Sequence, residues 1–107
     1  MKNELVIVIP TYNERENIEE ILSQILLLEL KADILFIDDN SPDGTGQILK
    51  GLVKQHNNVY SIHRSEKLGI GSAHVEGINW AYDHGYNILI TMDGDLSHSP
   101  NYIRELI

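Results

Sequence analysis

Cysteine is absent from this 107-residue chain, which excludes disulfide scaffolds, thiolate zinc sites and cysteine nucleophiles. Basic residues are scarce: 8 Lys plus Arg stand against 16 Asp plus Glu, a formal net charge of −8. So acidic a chain is poorly matched to nucleic acid or an anionic membrane surface unless a cation bridges the contact, and no nucleic-acid partner is expected. Long apolar runs are missing as well. The longest uninterrupted one, Leu5 to Ile9, is far short of the roughly 20 residues that cross a bilayer. Met1-Lys2-Asn3-Glu4 ahead of it does not read as a signal peptide, because an acidic residue interrupts and the apolar segment is too brief. Internal repeats, linkers and low-complexity stretches are also lacking. What is present is a 42% hydrophobic composition, enough for one small domain that buries roughly two thirds of its unfolded surface. The expectation is a soluble, intracellular globular chain.

Two kinds of segment alternate. Leu5 to Ile9 is a β-branched run with the character of a strand buried on both faces, closed by Pro10. Asn13 and Glu16 form a capping-box-like pair before a helix whose stripe is Ile18, Ile21, Leu22, Ile25 and Leu26. Ile34 to Ile37 reads as a second buried strand, stopped by Asp38-Asp39-Asn40 and followed by the turn residues Ser41-Pro42-Asp43-Gly44. A short helix on Ile48, Leu49, Leu52 and Val53 leads through Asn57-Asn58 to a weaker strand from Val59 to His63. Gly69 and Gly71 precede a third helix with Val75, Ile78 and Tyr82 as its apolar positions, closed by Gly85 in a left-handed conformation. Ile88 to Met92 is a fourth buried strand ending at Asp93, and Ser99-Pro100 caps a last helix carrying Ile103, Leu106 and Ile107. The order βαβαβαβα predicts an α/β fold: a Rossmann-like parallel sheet with helices on both faces and right-handed crossovers. The last helix stops on Ile107 after one or two turns without a C-cap, so the chain is expected to be the first half of something longer.

In open parallel sheets, ligands bind beyond the carboxyl ends of the strands. That rule selects the loops Pro10 to Glu14, Asp38 to Gly44, Arg64 to Gly71 and Asp93 to His98, which hold the carboxylates Glu14, Asp38, Asp39, Asp43, Asp93 and Asp95. Gathered acids repel one another unless something positive sits among them, and a hard divalent cation, Mg²⁺ or Mn²⁺, is the natural oxygen-liganded solution. Asp93-Gly94-Asp95 suits it, since side chains two apart on an extended strand point the same way and Gly94 admits a bulky ligand. Such a metal usually completes its shell with phosphate oxygens, so a diphosphate is the expected ligand. Each part has a plainer reading. D-x-D triplets are common, Asp38-Asp39 suits a strand terminus with a capped turn, and Gly69-x-Gly71 often only permits a tight turn. Trp80 and Tyr82 suit packing or surface roles. The five histidines show no metal-binding spacing, and His98 alone, three residues beyond Asp95, stands near the expected site.

Together the parts are more specific. Ile9-Pro10-Thr11-Tyr12-Asn13-Glu14, Ile37-Asp38-Asp39-Asn40-Ser41-Pro42-Asp43-Gly44-Thr45 and Met92-Asp93-Gly94-Asp95-Leu96-Ser97-His98-Ser99-Pro100 follow the first, second and fourth strands. In that order they resemble the inverting glycosyltransferase family 2, with its glycosyltransferase A (GT-A) fold. Lys67-Leu68-Gly69-Ile70-Gly71-Ser72-Ala73, with Gly77 following, is similar to the polyprenyl-phosphate (dolichyl-phosphate) mannosyltransferases within it. The resemblance implies that residues 1–107 are the nucleotide-sugar donor-binding half of such a domain. Pro10, Tyr12 and Glu14 would line the nucleotide pocket, the Tyr12 ring packing on base or ribose. Ile37 and Asp39 would flank the base, Asp39 accepting from its ring N–H groups. Asp93, Gly94 and Asp95 would bind the diphosphate–metal unit as the catalytic centre, Asp95 being the main ligand. Ser97 stands where many relatives carry Gln and would reach the metal through water.

The implied reaction is metal-dependent transfer of mannose from GDP-mannose to a polyprenyl phosphate with inversion. An anionic lipid phosphate needs no strong general base, so alignment and neutralisation of the leaving diphosphate carry the chemistry. The acceptor-binding half lies beyond Ile107, so the 107 residues alone are expected to bind donor without turnover. The full-length enzyme would sit in the cytoplasm, peripherally at the membrane face. Three alternatives remain open: a family 2 enzyme using UDP-glucose or UDP-N-acetylglucosamine, a non-catalytic nucleotide-binding module, and a receiver-like regulatory domain. The receiver reading is disfavoured because the acidic pair follows the second strand. A dinucleotide-binding fold fails at the first loop, which lacks a Gly-rich turn.

Overall fold

The computed structural model describes residues 3–66 and 68–92, with the side chain of Ile70 left aside. Within them lie β1 (Leu5–Thr11), α1 (Ile18–Leu27), β2 (Ala32–Asp38), α2 (Thr45–Gln55), β3 (Val59–His63), α3 (Ile70–Asp83) and β4 (Ile88–Thr91). The four strands form one sheet in the order β3-β2-β1-β4, and every pairing is parallel. This is the alternating α/β arrangement that the hydrophobic pattern predicts, except that β4, expected to be buried, lies at the end of the described sheet with Ile88 48% exposed.

Alternation along the central strands builds two cores. Leu5, Ile7 and Ile9 of β1 and Ile34 and Phe36 of β2 face one side, where Ile18, Ile21, Leu22 and Ile25 of α1 and Leu49 and Leu52 of α2 cover them. Val6, Val8, Leu35 and Ile37 face the other side, covered by Ala73 and Ala81 of α3. A strand buried on both faces needs apolar residues at every position, which explains the unbroken β-branched runs. Helices therefore lie on both faces of the sheet.

Three local expectations are corrected. Pro10 does not end β1, which continues through Pro10 and Thr11 opposite Ile37 and Asp38. The even residues of β1 direct their amides towards β4, and that pairing stops at Val8 opposite Thr91, with Met92 donating to the Val8 carbonyl. On that side the described pairing ends at Val8, so proline at position 10 interrupts none of the described ladder bonds. The Asn13–Glu16 capping box does not form either. Asn13 has φ 55°, and the first turn starts instead from the Glu14 carbonyl, which accepts from the amides of Asn17 (2.9 Å) and Ile18 (3.1 Å).

The third correction concerns α3, which begins at Ile70 and so includes Gly71. Its expected core positions face outward: Val75, Ile78 and Tyr82 are 59%, 51% and 84% exposed. The buried face is Ala73, Gly77 and Ala81, one turn apart. A Cβ on Gly77 would lie 2.5 Å from Cγ1 of Val8, so the helix rests almost on the sheet and only small residues fit beneath it. The expected close of α3 does form, with Gly85 at φ 77°. Just beyond the helix, Tyr86 stacks on Trp80 (ring centroids 5.5 Å apart), which also stacks on His84 at 4.1 Å. The expected final helix, residues 99–107, lies outside the described residues, as does His98.

Candidate functional site

The carboxyl ends of β1, β2 and β3 share one edge, and side-chain hydrogen bonds knit their loops together. Asp38, at the end of β2, accepts from the Thr11 hydroxyl at 3.1 Å, from the Ser41 amide at 3.1 Å and from the Ser41 hydroxyl at 2.6 Å. Ser41 in turn accepts from the Asn13 amide at 2.9 Å. Asp43 caps the start of α2, accepting from the Thr45 amide at 3.0 Å and the Thr45 hydroxyl, and reaches across to the Arg15 amide at 3.2 Å. Arg15 returns a bond to the Asp43 carbonyl at 3.3 Å. The β1–α1 and β2–α2 loops are therefore one interlocked unit. A hollow of about 450 Å³ opens beside it, lined by Asn13, Arg15, Glu16, Asn17 and Asp43.

Asp39 follows one residue later and is 5% exposed. The parallel register that sets Asp38 opposite His63 brings Asp39 level with Arg64, whose amide extends the ladder to the Asp38 carbonyl at 2.9 Å. Arg64 Nε donates to Asp39 Oδ1 at 2.8 Å, and Nη2 lies 2.7 Å from the same oxygen. The amides of Leu68 and Gly69 donate to Oδ2 at 3.0 and 2.8 Å. Burial alone pushes the Asp39 pKa up, but the two amides and the guanidinium outweigh it and hold the carboxyl below its ordinary value. Asp43 is also held low: burial raises it, and the Thr45 and Arg15 hydrogen bonds more than offset that.

A folded-state pKa below the unfolded one stabilises the fold fully above the unfolded value, near 3.9 for Asp, and is lost as pH falls through the folded value. Unfolding free energy from urea titrations should thus be insensitive to Asp39 from neutral pH to about 5 and decline below about 4. In Asp39→Asn that decline should be shallower. An equally steep decline in the variant would contradict the assignment.

Of the residues singled out from sequence, Pro10, Tyr12, Glu14, Ile37 and Asp39 do gather at this edge. Pro10 is buried in β1, and Tyr12 and Glu14 are half-buried just beyond it, with Glu14 accepting from Asn17 Nδ2 at 3.0 Å. The Ile37 side chain has no exposed surface and fills the α3-side core. Asp93, Gly94, Asp95 and Ser97 lie outside the described residues.

The reading of six clustered acids as a demand for a cation overcounted. Asp38, Asp39 and Asp43 are satisfied by hydroxyls, amides and Arg64. Among the described residues no group of three or more His, Asp or Glu could hold a metal ion. Arg64 is the residue that sequence reasoning missed. Its signal was its place, one residue past the third strand in a chain with few cations, level with an acid one residue past the second.

The sheet order and the loops gathered at its strand ends form an open α/β arrangement with a crevice at the carboxyl edge, and comparison with known proteins shows the family. The family model described as "Glycosyl transferase family 2" matches residues 6–107, and the chain belongs to that family. It is 39% identical over 103 residues to the polyprenol monophosphomannose synthase of Mycolicibacterium smegmatis, covering 95% of this chain and 39% of that protein. To the undecaprenyl-phosphate mannosyltransferase of Micrococcus luteus it is 37% identical over 100 residues, covering 94% and 41%. Among solved structures, the mannosyltransferase of Pyrobaculum calidifontis in complex with GDP-Man and Mn²⁺ matches with a TM-score of 0.68 and 25% identity, covering 89% of this chain and 28% of that one. The chain thus spans about two fifths of the length of these two curated relatives.

Proposed function

We infer that residues 1–107 are the donor-binding half of an inverting polyprenyl-phosphate mannosyltransferase. The observation that carries this reading is the 39% identity to a polyprenol monophosphomannose synthase across 95% of the chain. It is supported by the GDP-Man and Mn²⁺ held by the Pyrobaculum relative and by the gathering of Pro10, Tyr12, Glu14 and Asp39 at one sheet edge. The donor is GDP-mannose and the acceptor a polyprenyl phosphate, bound by sequence beyond this half. No helix among the described residues is long and apolar enough to cross a membrane. Contact with the lipid surface, at the cytoplasmic face, belongs to the longer protein.

In this reading Tyr12 packs against the nucleoside and Glu14 closes the pocket beside it, while the interlocked loops through Ser41 and Asp43 keep the pocket walls in place. Asp93 and Asp95, with Ser97, would hold a divalent ion, Mn²⁺ or Mg²⁺, and Gly94 would admit the diphosphate. When bound, that ion neutralises the charge that develops on the leaving diphosphate. The lipid phosphate attacks as an anion, so the chain supplies alignment rather than a strong base. Stacking on an aromatic ring is worth about 1–3 kcal/mol per base, so Tyr12→Ala should weaken GDP binding by about tenfold or more. Unchanged affinity by calorimetry would remove Tyr12 from the pocket.

A further inference from the structure

α3 stands above β1 and β2, since the Cβ position of Gly77 meets Val8 of β1 and Ile37 of β2. One flank of the helix is turned to β3. There Ser72 and Glu76 accept from Arg64 at 2.9 and 3.4 Å, and the Trp80 ring lies 5.5 Å from that of Tyr60. At about 100° per residue, Val75, Ile78 and Tyr82 fall on the other flank, outward and on the side of β4. All three are exposed, and their i, i+3, i+7 spacing is that of a helix face that packs. His74, on the same flank, has a buried Nδ1 with no hydrogen-bond partner among the described residues. Buried polar atoms are rarely left so.

Topology limits what can reach this flank. α1 and α2 link β1 to β2 and β2 to β3 over one face of the sheet, and α3 links β3 to β4 over the other. With right-handed crossovers, a chain leaving β4 in the direction away from β3 runs over the α3 face, beside the unpartnered flank. Residues 93–107 follow Met92 directly and lie outside the described residues. Their sequence places Ile103, Leu106 and Ile107 at i, i+3 and i+4 behind Ser99-Pro100. As a helix, residues 99–107 would be about 13 Å long, against about 10 Å from Val75 to Tyr82. We propose that residues 99–107 dock along this flank of α3, with Ile103, Leu106 and Ile107 covering Val75, Ile78 and Tyr82. α3 is then the support that fixes Asp93 and Asp95 between the end of β4 and the docked segment. That supporting role rests on the donor-site reading of the two acids, whereas the docking does not.

Amide hydrogen exchange on the 107-residue chain, with light scattering on the same samples, tests the docking. The amides of residues 104–107, which would donate within such a helix, should be protected in the wild type. They should exchange about tenfold or more faster in Ile78→Asp and, independently, in Leu106→Asp. Leu27→Asp, at an exposed leucine of α1 on the opposite face, should leave them unchanged. The chain has no cysteine, so a nitroxide on Ile78→Cys marks a single place and should broaden the resonances of residues 103–107. Absence of protection in the wild type, or protection that survives Ile78→Asp, would overturn the docking. So would a dimer that Ile78→Asp dissociates, because the flank then belongs to a second copy. For the supporting role, Mn²⁺ affinity in the presence of GDP should fall about tenfold in Ile78→Asp, and unchanged affinity beside lost protection would overturn it. If the wild type binds no Mn²⁺ with GDP, the donor-site reading falls, while the exchange data still decide the docking.

Discussion

Replacing Asp39 by alanine is expected to destabilise the chain by about 3–5 kcal/mol, since it strands a guanidinium that is 4% exposed without its anion. Two amides, of Leu68 and Gly69, lose their acceptor at the same time. Against the 5–15 kcal/mol of a typical domain, about a fifth or more of the stability goes with this one side chain. Asp39→Asn should cost less, because the amide oxygen still accepts from the main chain while the charge is lost. The double variant Asp39→Ala/Arg64→Met, which removes both charges while the methionine fills much of the space left by Arg64, should recover a large part of the loss. Urea denaturation of the three variants checks the order. If the single alanine variant lost less than about 1 kcal/mol, no more than an exposed pair is worth, the burial of this pair would be without consequence.

Nearly as large an effect is expected at the closest approach of α3 to the sheet. A Cβ on Gly77 meets Val8 Cγ1 at 2.5 Å, Ile37 Cδ1 at 3.2 Å and Val8 Cγ2 at 3.3 Å. Val8 and Ile37 are both fully buried, and the stiff valine has no rotamer freedom with which to yield. Gly77→Ala should therefore lose about 1–3 kcal/mol through overpacking, although alanine is favoured over glycine in a helix by about 1 kcal/mol. Gly77→Leu should lose about 3 kcal/mol or more, because the helix must lift from the sheet. Gly51, in α2, is the internal control. Nothing stands within 4 Å of its Cβ position, so Gly51→Ala should gain about 0.5–1 kcal/mol. Denaturant midpoints that move in opposite directions at the two glycines would support the packing account. Equal gains at both would contradict it.

The sheet and both of its faces were legible because strands buried on two sides advertise themselves as unbroken runs, such as Leu5 to Ile9 and Ile34 to Ile37. β3 was legible to the residue, Val59–His63. The buried face of α3 was not. A helix is usually read by its large apolar residues, but here they occupy the outer side, and contact with the sheet selects for small size at Ala73, Gly77 and Ala81. At the strand ends, the position of the crevice followed from the parallel topology, while the state of its acids did not. Asp38 and Asp43 are satisfied by hydroxyl and amide donors, which carry no charge that a sequence displays. The partner of Asp39 is 25 residues away and becomes adjacent only through the register of β2 and β3. The role of Asp39 in reading a base is implied by resemblance alone, while its contact with Arg64 is set by the fold.

The central claim is that this half of the domain recognises a guanosine diphosphate sugar. Calorimetric titration of the 107-residue chain with GDP-mannose and with UDP-glucose, each with Mn²⁺ and with a chelator, tests it most directly. The account predicts binding of GDP-mannose in preference to UDP-glucose, weakened by the chelator and by Asp95→Ala. Preference for UDP-glucose, or GDP-mannose binding indifferent to both chelator and Asp95, would contradict it.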